Sequence, residues 1–452
     1  MIPNLGAIDI LISAFYVLLI YLISLYIRKK LAKPFKSYIL PFVTYRLLFA
    51  LAFVLIHVYY FKGGDTFVYF DLGKFFADQL RYQPSQLFDI YSANFESLRN
   101  LKIEDDYFSL FFLRSTDTRF MGKMMGIFNL LTGNHFLAST IVFSVCCSIG
   151  LWQIFTTVSS MYPKMRKFFA IGILYYPTIA IWSSGILKDP LAMLSIGLMF
   201  RATYLLCKRK RIIYSVFVIA ISIFICQYVK PYILYLFIPS MFLWAHGLIA
   251  KQIKKTFIKV LISPLIVLSF ILGVYFFTNQ ISDEAGKYSI ENIEKVAKGF
   301  HSWHQHLADT RDQSGYTLGE VKFTPMGILQ KAPEALFVTY FRPFPIIDTK
   351  NASTLFEGIQ SFTLLMISLF VFFRLGPKRL VQYTLTNPHV RAFMVFALLF
   401  GFVVGFTSYN FGALSRYKIP ALPFYTTSLC ILYAEFLIKK QSRKRAPKPA
   451  FG

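Results

Sequence analysis

The placement of charge around the apolar runs constrains this 452-residue chain more than any motif does. Eleven apolar runs occur, at roughly 8–27, 39–61, 135–158, 168–183, 190–206, 212–229, 232–250, 258–277, 355–373, 391–408 and 420–438. Most are long enough to cross about 30 Å of hydrocarbon as helices. The segments 28–38, 159–167, 207–211, 251–257 and 374–390, with Lys259, Arg391 and the tail from Lys439, hold 26 Lys and Arg and no Asp or Glu. Short basic loops stay cytoplasmic, which predicts the N-terminus outside and the C-terminus inside. The expected fold is an all-α polytopic membrane protein of about 11 transmembrane helices with two long extracytoplasmic loops.

At 56% hydrophobic and 18% aromatic residues, the chain carries more apolar surface than a soluble shell can cover. The formal charge of +26 does not point to nucleic acid, because the basic residues recur between apolar runs instead of gathering on one face. Anionic lipid headgroups and the orientation rule account for them. Cys146, Cys147, Cys207, Cys226 and Cys430 form no CxxC pair and read as small packing residues. Asp9 precedes the first run, Arg28, Lys29 and Lys30 follow it, and no small-residue cleavage site appears, so it is expected to stay as an anchor. Three parts follow: an anchor helix with a basic loop over 1–38, a transmembrane domain over 39–438, and a basic tail over 439–452. No internal repeat or inverted pair of Gly-interrupted runs is seen, which weakens a secondary-transporter reading.

The two long polar segments, 62–134 and 278–354, carry 18 of the 22 Asp and Glu. In the first, GDTFVYFDLGKFFADQL sets Phe67, Phe70, Phe75 and Phe76 at roughly helical spacing, as an amphipathic piece would. In the second, ENIEKVAKGFHSWHQHL reads as a polar helix, and MGILQKAPEALFVTYF as a more apolar piece that re-enters the membrane or lies flat on it. Five outer turns concentrate ionisable residues on one face: GGDT with Asp65, SSGILKDP with Lys188 and Asp189, the turn at Lys230 and Pro231, YFRPFP with Arg342, and SYNFGALSRYKIPALP with Arg416 and Tyr417. Ionisable groups near hydrocarbon are costly unless paired, solvated or used.

Each residue also has a structural explanation. Asp189 followed by Pro190 makes a good helix start; Lys188 can extend to headgroups; Asp65 can be a solvated turn residue; Arg416 and Arg342 can pair with carboxylates. His301, His304 and His306 with Asp309 invite a metal reading, but His304 and His306 point apart on a helix and no HExxH completes a set. Ordinary loop polarity is the simpler account, with a catalytic or sugar-contacting role for one of these histidines as the alternative. Trp303 is either an interfacial anchor or a sugar-stacking surface. His57 reads as a packed neutral side chain.

Asp65 in the long first outer loop, SGILKDP at Lys188–Asp189, and SRYKIPALP before the last helix together resemble the GT-C superfamily of membrane glycosyltransferases. The resemblance spans roughly residues 39–438 and rests on short motifs. One departure is the extra helix before the acidic loop, which leaves Glu104, Asp105 and Asp106 as rivals of Asp65. The resemblance implies an inverting, polyprenyl-phosphate-sugar-dependent glycosyltransferase in the bacterial inner (plasma) membrane. A carboxylate would take the acceptor proton, Asp65 first and Asp189 as second candidate or orienter. Lys188 and Arg416, helped by Arg342, would hold the donor phosphate. Tyr417, His301, Trp303, His304, Asp105 and Asp106 are the remaining substrate-contact candidates. No cofactor or metal is required by this reading, and a divalent cation (Mg or Mn) stays open. The partners implied are a polyprenyl-phosphate-linked sugar, a glycan, lipid or protein acceptor and membrane lipids, with no nucleic acid. The rivals are an O-antigen-type polysaccharide polymerase or ligase and a lipid-linked glycan flippase or transporter.

Overall fold

The computed structural model describes residues 3, 5–100, 110–250, 299, 314–319, 321 and 325–445. Among the described residues the fold is all-α, with no sheet and one isolated bridge between Gly315 and Asn410. Eight helices there are long and apolar enough to cross a membrane: Ala7–Lys30, Lys33–Phe61, Phe136–Met161, Lys188–Cys207, Ile212–Val229, Pro231–Ala250, Ala352–Leu375 and Pro388–Thr407. A ninth arises if Phe411–Tyr417 and Leu422–Ile438, which meet at 68°, count as one bent span. The chain is a multi-pass helical membrane protein.

Two of the eleven expected runs need comment. The run at 168–183 is broken into Arg166–Phe169, a wide turn at Ala170–Leu174, and Pro177–Trp182. Pro177 lacks an N–H for the preceding turn and drives Tyr176 into extended backbone (φ −73°, ψ 117°). The run at 258–277 lies outside the described residues.

The described chain forms two compact units. The first comprises Met1–Thr156, Leu174–Ala202 and Arg211–Leu234. In it Asp9, on the first turn of Ala7–Lys30, pairs with His135 at 2.9 Å, just ahead of Phe136–Met161. Arg28, Lys29 and Lys30 occupy the last turn of that first helix, and Lys36 Nζ donates to the Lys29 carbonyl at 3.1 Å. One membrane-length helix thus separates an acidic end from a basic end.

The amphipathic segment folds as Asp65–Tyr82 and buries Phe67, Phe70, Phe75 and Phe76 within protein. Each such ring is worth about 1.5–3 kcal/mol relative to exposure in water. Its main partner is Thr116–Thr132, and glycines set their approach: a Cβ on Gly73 would lie 2.7 Å from Met125 Cβ, and one on Gly126 2.6 Å from Phe76 Cβ. Asn129 Nδ2 fixes the register by donating to the Phe70 carbonyl at 3.0 Å. Phe136–Met161 and Lys188–Cys207 cross just as tightly, since a Cβ on Gly197 would lie 2.0 Å from the Gly150 carbonyl oxygen. That contact anchors the helix whose first turn carries Lys188 and Asp189.

The second unit comprises Thr157–Ile173, Thr203–Lys210 and Tyr235–Gly452. Its short helix Ala332–Phe341 packs against Pro388–Thr407, where Thr339 Oγ1 donates to the Gly401 carbonyl (2.7 Å) and Tyr340 hydroxyl to the Ala397 carbonyl (2.6 Å). Ala397 lies ten residues from Thr407, roughly 15 Å along the helix at 1.5 Å per residue. This apolar piece of the second long loop therefore runs beside the interior turns of a membrane-length helix. Tyr340 also stacks on Tyr425, with centroids 4.3 Å apart, tying the short helix to the last one.

Candidate functional site

In the first unit, five charged residues gather around the start of Lys188–Cys207: Lys188 and Asp189 on that helix, Asp65 and Asp117 on the first turns of two others, and Lys230 in the break after Ile212–Val229. Lys188 Nζ lies 2.5 Å from Asp117 Oδ2 and 3.4 Å from Thr118 Oγ1, over the Tyr69 ring at 5.4 Å. Asp189, 1% exposed, accepts from Lys230 Nζ at 2.5 Å. Asp65 starts the helix Asp65–Tyr82, is exposed, and acts electrostatically on Lys188, as does Lys230.

Local sequence explains each position. Gly63 and Gly64 break the chain after Lys33–Phe61, with Gly64 at φ 122°, a conformation that side chains other than glycine's rarely adopt, so the next helix opens on Asp65. A carboxylate on a first helical turn also complements the helix dipole, which serves Asp65, Asp117 and Asp189 alike. The helix begins at Lys188 rather than at Pro190, so pairing with Lys230 accounts for Asp189 beyond simple capping. Burial works to raise the Asp117 carboxyl, but the Lys188 charge and hydrogen bonds from Lys188, Ser115 and Thr118 outweigh it and hold Asp117 below the ordinary carboxylate range.

The second unit holds the other basic candidates. Arg342 closes a bidentate pair with Asp348, Nε–Oδ2 at 2.9 Å and Nη2–Oδ1 at 2.5 Å, and lies over the Phe411 ring at 5.3 Å. Burial pushes Asp348 up, yet the Arg342 hydrogen bond, the Phe344 amide and the Arg342 charge together keep it low. Arg416 and Tyr417 end the helix Phe411–Tyr417, which Asn410 caps by accepting from the Ala413 amide at 3.0 Å, and both are partly buried. The buried cation there is Lys418, 1% exposed, which meets Glu357 at 2.6 Å and donates to Ser361 Oγ at 3.2 Å. Ser361 donates in turn to the Arg342 carbonyl at 3.1 Å, so both cation–carboxylate pairs share one hydrogen-bonded path at the bend of the last span.

Of the sequence candidates, the structure brings Asp65, Lys188 and Asp189 together in the first unit and sets Arg342, Arg416 and Tyr417 in the second. His301, Trp303, His304, Asp105 and Asp106, with Glu104, lie outside the described residues. His57 is packed as expected, donating from Nδ1 to the Phe53 carbonyl at 2.9 Å and stacked on that ring. Asp117, Lys418, Glu357 and Asp348 were missed as site residues, and Lys230 was seen only as a turn residue. The available signals were Asp117 within STDTRF, a charged helix start, and Lys418 two residues after Arg416. Among the described residues no three His, Cys, Asp or Glu side chains gather as metal ligands. No protein-family model, curated protein or solved structure matches this chain.

Proposed function

We propose that this chain is a GT-C-like membrane glycosyltransferase with N-outside, C-inside topology, moving a sugar from a polyprenyl-phosphate donor to a glycan or lipid acceptor at the extracytoplasmic face. The observation that carries the reading is an exposed carboxylate, Asp65, acting on a lysine, Lys188, that Asp117 holds at 2.5 Å. In the reaction, the acceptor hydroxyl oxygen bonds to the anomeric carbon while its proton passes to Asp65. The bond from that carbon to the phosphate oxygen breaks, and the electron pair leaves with the phosphate. Lys188 stabilises the charge that develops there. One direct displacement inverts the anomeric centre. Asp189, buried against Lys230, suits orientation of the lysine pair better than proton transfer. Arg416 and Arg342 are the basic candidates of the second unit for the same anionic class of ligand. The acidic and basic ends of the first unit, set apart by Ala7–Lys30, support the topology.

The test is mass spectrometry of lipid extracts from membranes with the wild-type chain, without it, and with Asp65→Asn. Accumulation of a polyprenyl-phosphate monosaccharide in the last two, with an acceptor lighter by one sugar, supports the reading. Accumulation of complete lipid-linked repeat units refutes it in favour of a polymerase or ligase.

One observation favours a second reading, a lipid-linked glycan flippase or transporter. Phe411–Tyr417 and Leu422–Ile438 meet at 68° across a short break, and the buried Lys418–Glu357 pair sits at that break. Discontinuous helices of this kind hold substrates and coupling ions in transporters. Transport into vesicles with no glycosidic bond made or broken identifies that activity.

A further inference from the structure

Arg46 lies near the middle of Lys33–Phe61, about 20 Å from either end at 1.5 Å per residue, and is completely buried. An ionisable group at that depth is expensive and marks function or an essential pairing. Among the described residues its acceptors are all neutral. Nη1 donates to the Ala180 carbonyl (3.2 Å) and Ser183 Oγ (2.9 Å), and Nη2 to Ser144 Oγ (3.2 Å) and the Ser183 carbonyl. Three of these four acceptors belong to the C-terminal end of Pro177–Trp182 or the residue that follows it.

Residues 183–187 then run without helical structure until Lys188. Irregular backbone at membrane depth is tolerated only where protein supplies its hydrogen bonds. Arg46 supplies them at the start of this connector. Phe53, seven residues further along the same helix and hence on the same face, covers its middle: a Cβ on Gly185 would lie 2.0 Å from Phe53 Cζ. Ile186 and Leu187 are buried, and the next two residues are Lys188 and Asp189.

We propose that Arg46 is a positioning residue for Lys188 and Asp189. Its guanidinium caps the interrupted segment and fixes where the five-residue connector delivers the two charged side chains to Asp117 and Lys230. The importance of that delivery for sugar transfer rests on the function proposed above; the positioning itself does not.

The experiment compares acylation of lysines in the purified full chain, wild type against Arg46→Lys, with an amine-reactive ester and peptide mass spectrometry. Arg46→Lys keeps the charge but cannot span the four acceptors, because an ammonium is a point donor where guanidinium is a planar fork. The expected result is a severalfold or greater rise in Lys188 modification with no change at Lys123, which is held in the same unit by the Tyr91 and Ala93 carbonyls. A rise at both lysines means general loosening and overturns the proposal, as does no rise at Lys188. Ser183→Ala with Ser144→Ala removes two acceptors while keeping Arg46 and should give a smaller rise at Lys188 alone; an unchanged Lys188 there also overturns it. No sugar transfer enters these readouts, so their failure is separable from failure of the functional reading in the lipid extracts.

Discussion

Lys230→Met should destabilise the protein by about 3–5 kcal/mol, the cost of breaking a buried ion pair by removing one partner. Asp189 is 1% exposed and its partner ammonium sits 2.5 Å away. At an effective dielectric constant near 20, the gross attraction at that distance is about 6–7 kcal/mol. Desolvating the two ions costs several kcal/mol each, so the intact pair is worth little net. Removing only the lysine forfeits the attraction but keeps the desolvation of Asp189. A loss of this size lowers the folded-to-unfolded ratio roughly 150- to 5,000-fold at 1.36 kcal/mol per decade. Replacing both partners, Lys230→Met with Asp189→Leu, should recover stability to within about 1 kcal/mol of wild type, because similar apolar volume fills the space without buried charge. Denaturant titration in mixed micelles, followed by tryptophan fluorescence and helical circular dichroism, reads all four corners of the cycle. A single variant costing under about 1 kcal/mol, or a double variant as unstable as the sum of the singles, would refute the claim that these two buried charges compensate one another.

Gly197→Leu should prevent stable folding or cost at least the about 1–3 kcal/mol typical of overpacking, since its Cβ would meet backbone that cannot rotate aside; Gly6→Ala, with open space around it, should be neutral in the same thermal scan. Asp117 and Asp348 titrate below the ordinary carboxylate range, so the stability they add is present above their unfolded value near pH 4 and is lost as the pH falls through their lower folded values. Asp117→Asn and Asp348→Asn should therefore be less stable than wild type at neutral pH, with the gap closing below about pH 4 in acid unfolding curves; a constant gap contradicts the assignment. In a cysteine-free background, an impermeant maleimide should label Gln83→Cys on intact cells and Lys210→Cys only after permeabilisation, and the reverse pattern would invert the proposed topology.

Most of the spans were legible because a membrane helix satisfies its own backbone and needs only an apolar surface, both of which are properties of a contiguous run. Hydropathy does not register a break in the backbone. The run at 168–183 reads as continuous, yet the wide turn at Ala170–Leu174 and Pro177 divide it, and the irregular 183–187 connector follows, where Arg46 donates hydrogen bonds to the Ala180 and Ser183 carbonyls from elsewhere in the chain. The run at 420–438 matches the helix Leu422–Arg445, but hydropathy gives no sign of the 68° angle at which Phe411–Tyr417 meets it, with Lys418 in the break.

The site shows the same division between local and long-range information. Sequence position made Lys188 and Asp189 expensive, and expense predicts a partner or a use. It did not name the partner, since Asp117 and Lys230 are 71 and 41 residues away and each looks locally like an ordinary helix-end charge. Near neighbours in sequence also reach different surroundings: Arg416 is partly buried at the end of Phe411–Tyr417, whereas Lys418, just beyond that helix, is buried against Glu357. Arg46 was the most economical signal of all, one cation in the centre of an apolar run, and it went unread because a single charge barely lowers the hydropathy of a long segment. A charge at that depth persists only if several acceptors converge on it, so its presence in the sequence already implied that irregular backbone or hydroxyls from other segments must meet there. The serines at 144 and 183 and the carbonyls of 180 and 183 are those acceptors, and through them a residue twenty ångströms inside a span is connected to the charged turn at 188.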